Sequence, residues 1–316
     1  MTTENASVEP LEELRFALAQ SEAHPTPPAL RERVLDAAEG ARRPGRSIDV
    51  GPPITPVEAF RRTTAALDEV LCQLDADQWA RPVLRDLDIQ GLIGHLIGVE
   101  RQFQAALGMG PDPDAGIDTT TGQDDDDHVA STQADALAQA GRPTADTHRD
   151  WFAAVGRTLE YVGSLDPEAL AAPMSLHRYT LPVAQMLVVR SFETWTHDED
   201  IRRATGRPLS APEASRLTLM TELAVSALPR GLTNAGLSRP GRTARIVLTG
   251  PGGGTWQAGL DRQFPGSTDV RIIADATSFC RLVANRLEPD EVGAEVSGDA
   301  TLGREVLVGA AALALD

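Results

Sequence analysis

The chain has 316 residues and a formal net charge of -17, which predicts two domains plus an appendage and argues against a nucleic-acid partner, whose phosphates the average surface would repel. All 29 basic residues are arginines and there is no lysine, a composition that looks like a GC-rich bacterial genome and excludes Schiff-base and lysine-nucleophile chemistry. The opening "MTTENASVEPLEELRFALAQ" has no basic start followed by a hydrophobic run, no stretch approaches the roughly 18 apolar residues of a membrane helix, and Cys72 and Cys280 read as buried free thiols. A cytoplasmic protein with no membrane partner is expected.

Residues 1–54 hold two short amphipathic helix candidates joined by proline-rich stretches, too short to bury a core of their own, and are expected to dock on the body or on a partner. At "ITPVEAF", Thr55 as N-cap, Pro56 at the first helical position and Glu58 three residues after the cap read as a capping box that opens the first body helix, which is expected to run to about Leu74. The second helix, in "RDLDIQGLIGHLIGVERQFQAALGMG", sets Leu92, His95, Leu96, Val99 and Phe103 on one face. The run Asp124–Asp127 lacks the alternation and glycine of a calcium loop and reads as a solvated loop. A third helix near Thr144–Leu165 carries Trp151, Phe152, Val155, Leu159 and Val162, and a fourth covers roughly Pro182–Thr205, ending at Gly206 and Pro208. Four long helices in sequence imply an antiparallel bundle over residues 55–208.

From residue 209 to 316 the pattern changes to a small α+β domain. A further helix, "APEASRLTLMTELAVSAL", precedes two strands joined by "PGGG", then "DVRIIAD", a helix near Ala276–Leu287, "AEVSG" and a last helix. The "GPGGG" stretch lies between strands and precedes no helix, so it reads as a hairpin turn and not a phosphate cradle.

On the fourth helix Met186, Val189, Glu193, His197 and Ile201 share one stripe, so an acid and a histidine point inward one turn apart. A buried carboxylate needs a cation or a hydrogen-bonding partner. Arg190 is one candidate, which would make the pair purely structural. On the second helix His95 sits among Gly91, Gly94 and Gly98, which permit close approach of a backbone or ligand. Two imidazoles and a carboxylate aimed at a bundle interior form a zinc set with an open position, with iron the chemical alternative. His24, His128, His148 and His177 read as surface or capping residues.

At these residues the chain resembles a known family. "GLIGHLIGVE" is similar to the D-L-x-x-H-L-x-x-x-E helix, and "ETWTHDEDIRRATGRP" to the E-x-W-x-H-x-x-D-I-R-x-A-x-G-R-P helix, of the mycothiol-dependent maleylpyruvate isomerase family among the DinB-like metal bundles. The resemblance covers about residues 55–316. It implies an up-down four-helix bundle of the DinB-like type followed by a sterol-carrier-protein-like α+β domain; the helical N-terminal extension, residues 1–54, has no counterpart in the family plan. It further implies zinc or another divalent metal on His95, Glu193 and His197, mycothiol as the partner thiol, and isomerisation or thiol transfer on a small electrophilic or cis-enoic acid substrate. Coordination would deprotonate the thiol at neutral pH, since a free thiol has a pKa of about 8.5. An anionic substrate would need arginine, for which Arg242, Arg245 and Arg262 are the candidates. The alternatives are a metal-dependent hydrolase on the same bundle and a non-catalytic, zinc-stabilised binding or regulatory protein.

Overall fold

Thr55 does start the first body helix. In the computed structural model, which describes residues 33, 52–110, 132–177, 179–261 and 267–314, helix α1 (Pro56–Cys72) begins directly after Thr55, whose side chain accepts a hydrogen bond from the Glu58 amide. The Glu58 carboxylate turns to Arg62, 2.7 Å from its Nε. Apart from residue 33, the helices expected before residue 45 lie outside the described residues, as do Asp124–Asp127, His24, His128 and Arg262.

A short helix α2 (Ala76–Trp79) and a hairpin of β1 (Pro82–Leu84) and β2 (Leu87–Asp88) lead to α3 (Ile89–Ala106). Asp88 caps α3 by accepting from the Gly91 amide at 2.7 Å. Beyond it come α4 (Gln133–Leu137), α5 (Thr144–Ser164), α6 (Pro167–Ala171), a second hairpin of β3 (Pro173–Leu176) and β4 (Tyr179–Pro182), and α7 (Val183–Thr205). The long helices pack α1 on α7, α3 on α5 and α1 on α5. Leu67, Leu71, Leu92, Leu96, Trp151 and Val155 form one core cluster between them, and Phe60, Phe103, Val162 and Met186 a second. Each such side chain contributes about 1.5–3 kcal/mol when fully buried. Phe152 of α5 is 55% exposed, because its neighbour Trp151 takes the inner face.

Helix α7 departs from the single stripe expected of it. Its side chains from Val183 to Ile201 are buried on nearly every face, since α1 covers one side and α8 (Ala214–Asn234) packs on another. Val188, Phe192 and Trp195 of α7 join the core of that second half, with Leu217, Met220, Ile246, Ile272 and Phe279. Gly206, at φ 69°, ends the helix in the left-handed conformation that glycine adopts without steric cost.

The second half contains β5 (Thr243–Thr249), β6 (Gly254–Gly259), β7 (Val270–Asp275), α9 (Ala276–Val283), β8 (Glu295–Gly298) and α10 (Ala300–Ala311). The sheet order is β6-β5-β7-β8, with β5 and β7 parallel and the outer pairs antiparallel. The glycine-rich stretch is the β5–β6 turn, as expected. The described chain is thus a helix-rich α plus β structure with ten helices, three small sheets and no helix long and apolar enough to cross a membrane.

Candidate metal centre

His95 from α3 and Glu193 and His197 from α7 converge. One ligand atom from each lies within 4.8 Å of the others. His95 Nε2 is 3.5 Å from Glu193 Oε1, and the two imidazole rings meet edge to face with centroids 5.5 Å apart. Both histidines are buried, at 2% and 1% exposure, whereas Glu193 is 16% exposed.

Each member is held from behind. His95 Nδ1 is 2.5 Å from Thr132 Oγ1. That contact exists because Gly94 and Gly98 admit α4: a Cβ on Gly94 would lie 2.8 Å from the Ala136 Cα, and one on Gly98 2.9 Å from the Thr132 Cγ2. His197 Nδ1 is 3.2 Å from Asp200 Oδ2. Both ring nitrogens facing the cluster are therefore Nε2, in the orientation that a partner on Nδ1 enforces. Burial pushes the Asp200 carboxyl up, but hydrogen bonds with His197 and Arg286 outweigh it and hold the group at about 2. Arg286 reaches Asp200 through Nε and a terminal nitrogen, both at 2.8 Å.

Arg190 is bonded to Glu193, as its spacing suggested, and also lies 2.8 Å from Glu100 Oε1. Burial pulls the guanidinium down, yet Glu193 and Glu100 raise it overall, so it stays charged. The Glu100 carboxylate also accepts from Thr158 Oγ1 at 2.7 Å. Structural pairing with Arg190 and convergence with the histidines thus coexist on Glu193, one carboxylate oxygen facing each. The acidic run after His197 ties the two halves together, because Glu199 accepts from Arg281 Nε at 3.0 Å just as Asp200 accepts from Arg286.

A cavity of about 280 Å³ opens beside Glu193. Val189, Phe192, Leu181 and Leu223 give it an apolar wall, and Thr196 and Arg230 supply polar groups. The Arg230 guanidinium lies over the Tyr179 ring, 3.8 Å from its centroid. A larger groove of about 600 Å³ is lined by Asp200, Arg203 and Arg286 and reaches the support of His197 rather than the cluster itself.

The arginines proposed from sequence sit elsewhere. Arg242 pairs with Asp269 at 3.0 Å and Asp299 at 2.8 Å, and Arg245 lies on β5 opposite Gln257 of β6; neither lines the cavity. The expectation for Cys72 is corrected: it is exposed, since it follows the buried Leu71 and a helix turns about 100° per residue. Cys280 is buried, and burial pushes its thiol well up. His148, read as a capping or surface residue, pairs with Asp68 at 2.6 Å. Thr132 and Arg230 were not singled out from sequence. Neither sits in a run with its partner, so only the fold brings them to the site.

Residues 60–202, which hold His95, Glu193 and His197, match the family model of the mycothiol maleylpyruvate isomerase N-terminal domain. An uncharacterized protein of Mycobacterium tuberculosis strain H37Rv is 28% identical over 239 residues, 73% of this chain and 84% of that protein. The corresponding protein of strain CDC 1551 matches to the same extent. The crystal structure of a histidine-to-alanine mutant of the mycothiol-dependent maleylpyruvate isomerase shares the fold at a TM-score of 0.51 and 14% identity, over 76% of this chain and 91% of that one.

Proposed function

With residues 60–202 matching the mycothiol maleylpyruvate isomerase N-terminal domain, we propose that this chain is a mycothiol-dependent isomerase or S-transferase that uses zinc or another divalent metal on His95, Glu193 and His197. The observation that carries the reading is the convergence of those three ligand atoms within 4.8 Å next to a cavity. The donor set fits: two neutral imidazoles and one carboxylate suit a borderline dication and leave a position for an outside ligand. Such a metal, when bound, stabilises a coordinated thiolate at neutral pH. The helices around it are read as an up-down four-helix bundle over residues 55–208, with 209–316 as the α+β domain, in a cytoplasmic protein.

The chain's own residues do the rest. Arg190 orients Glu193 through their hydrogen bond, and Thr132 and Asp200 hold the two imidazoles by Nδ1. Leu181, Val189, Phe192 and Leu223 exclude water from the cavity, and Arg230, held over Tyr179, offers a guanidinium to a substrate carboxylate. Its volume of about 280 Å³ suits a small substrate such as a cis-enoic acid.

The test is the rate of cis-to-trans conversion of such an acid, or of thiol capture by a small electrophile, with and without mycothiol, alongside elemental analysis. Glu193→Gln and His197→Ala are expected to lose metal and activity together. Turnover unchanged when mycothiol is omitted would overturn thiol dependence in favour of hydrolysis. Full metal occupancy in His197→Ala would overturn the ligand assignment.

A further inference from the structure

A second group of metal-capable side chains lies near the surface of the same helices. Asp68 and Cys72 are one turn apart on a common face of α1, and His148 meets them from the start of α5. One ligand atom from each of the three lies within 4.8 Å of the others. His148 is positioned at both an edge and a face: its Nε2 is 2.6 Å from Asp68 Oδ1, and its ring stacks with that of Trp151 at 22°, centroids 6.3 Å apart. Trp79 packs near the same ring at 6.4 Å. Asp68 and His148 are half-buried, and Cys72 is exposed.

We propose that Asp68, Cys72 and His148 bind a second divalent cation of the zinc class, which bridges α1 to α5. The donor chemistry selects the ion. A thiolate and an imidazole favour zinc over magnesium or calcium, and one carboxylate completes a three-ligand set with room for water. With the thiol ionised, Asp68 and Cys72 carry two negative charges, which match a dication. An ordinary Asp68–His148 ion pair uses two of the three groups, and helix spacing brings the thiol beside them as a third donor. A nucleophilic role for Cys72 lacks a substrate site, since none of the three residues lines either described cavity. Ligands drawn from two helices make the ion a staple, stabilising the folded state by binding it and not the unfolded chain. This site is independent of the His95 cluster and of the function proposed for that cluster.

The test uses the full chain, stripped with a chelator and titrated with cobalt(II) and then zinc. Two ions per chain are expected, falling to one in Cys72→Ser and to one in His197→Ala. A thiolate-to-cobalt charge-transfer band should appear in the unaltered protein and in His197→Ala and vanish in Cys72→Ser. Alkylation of Cys72, the exposed thiol, should slow at least tenfold with zinc and recover on chelation. A single ion in both the unaltered protein and Cys72→Ser, with no charge-transfer band and no zinc effect on alkylation, would overturn the proposal. Asp68→Asn, a near-isosteric change at a half-buried position, should weaken the band while leaving the folded state intact.

Discussion

The trio His95, Glu193 and His197 and the trio Asp68, Cys72 and His148 draw on the same chemistry at different depths of one helical array. Each member of the deep trio has a partner behind it: Thr132 and Asp200 behind the rings, Arg190 behind the carboxylate, and Glu100 and Arg286 behind those. The shallow trio relies on its own Asp68–His148 bond and on tryptophan packing, with Cys72 exposed. The difference follows from desolvation. A buried charge is tolerated only when paired and hydrogen-bonded, whereas a half-exposed one is solvated without help. The deep site therefore spreads its requirements across α3, α4, α5, α7 and the C-terminal half, and the shallow site does not.

The sharpest break of that contrast is Arg190→Met. Arg190 and Glu100 are 2% and 1% exposed, so removing the guanidinium takes the cation from the fully buried Glu100 and from the partly buried Glu193. A loss of about 3–5 kcal/mol is expected, a large share of the roughly 5–15 kcal/mol that holds a domain folded. Urea denaturation checks it, and a loss below about 1 kcal/mol would show that the network around Glu193 is not needed for folding. Next in size is Gly94→Ala. The added methyl would meet the Ala136 Cα and the Asp135 carbonyl oxygen, each at 2.8 Å, and backbone atoms cannot move aside as a rotamer does. The expected cost is about 1–3 kcal/mol. Gly156→Ala on α5, where nothing lies within 4 Å of the new methyl, should instead stabilise by about 0.5–1 kcal/mol through helix propensity. Opposite signs for the two, read from the same denaturation curves, would confine the packing demand to the α3–α4 contact.

Thr132→Val is a smaller change aimed at orientation alone. It keeps the shape at a fully buried position and deletes the hydroxyl facing His95 Nδ1. Partners of this kind are worth about 10–100-fold in metal affinity. A roughly tenfold rise in the zinc dissociation constant is expected, measured by competition with a chromophoric chelator. An unchanged constant would mean that packing by α4, and not the hydroxyl, sets the ring.

Much of this arrangement was readable along the chain because it is local. Thr55 and Gly206 mark helix ends through groups one to three residues away, and Glu193 and His197 share a face of α7 by spacing alone. His95 among its glycines signalled close approach, although not that α4 would be what approaches. The two hairpins escaped notice because strands of two to four residues carry too little alternation to register. Arg202 and Arg203 answer the acidic run at helical spacing, but Arg281 and Arg286 lie 82 and 86 residues from their partners, and no local pattern links those. Cys72 misled for the opposite reason: its neighbours are apolar, yet one step of helical rotation carries it outward.

The smallest predicted effect is the one that separates the two trios most cleanly. Without metal, Cys72→Ser removes a thiol from an exposed helix end where the packing is done by Leu71 and Trp79, and stability should change by no more than about 0.5 kcal/mol. Adding zinc should then divide the proteins. At free zinc about 100-fold above the dissociation constant of the shallow site, the unaltered chain should gain about 2.7 kcal/mol from that site by mass action, and Cys72→Ser should not. The His197→Ala background removes the deep site's contribution, so thermal melts of His197→Ala with and without Cys72→Ser, each in chelator and in zinc, isolate the shallow term. If Cys72→Ser in chelator already costs more than about 2 kcal/mol, the thiol belongs to the packed structure. If instead zinc raises both backgrounds equally, the stabilisation comes from elsewhere on the chain and the shallow trio is an ordinary surface pair with a thiol beside it.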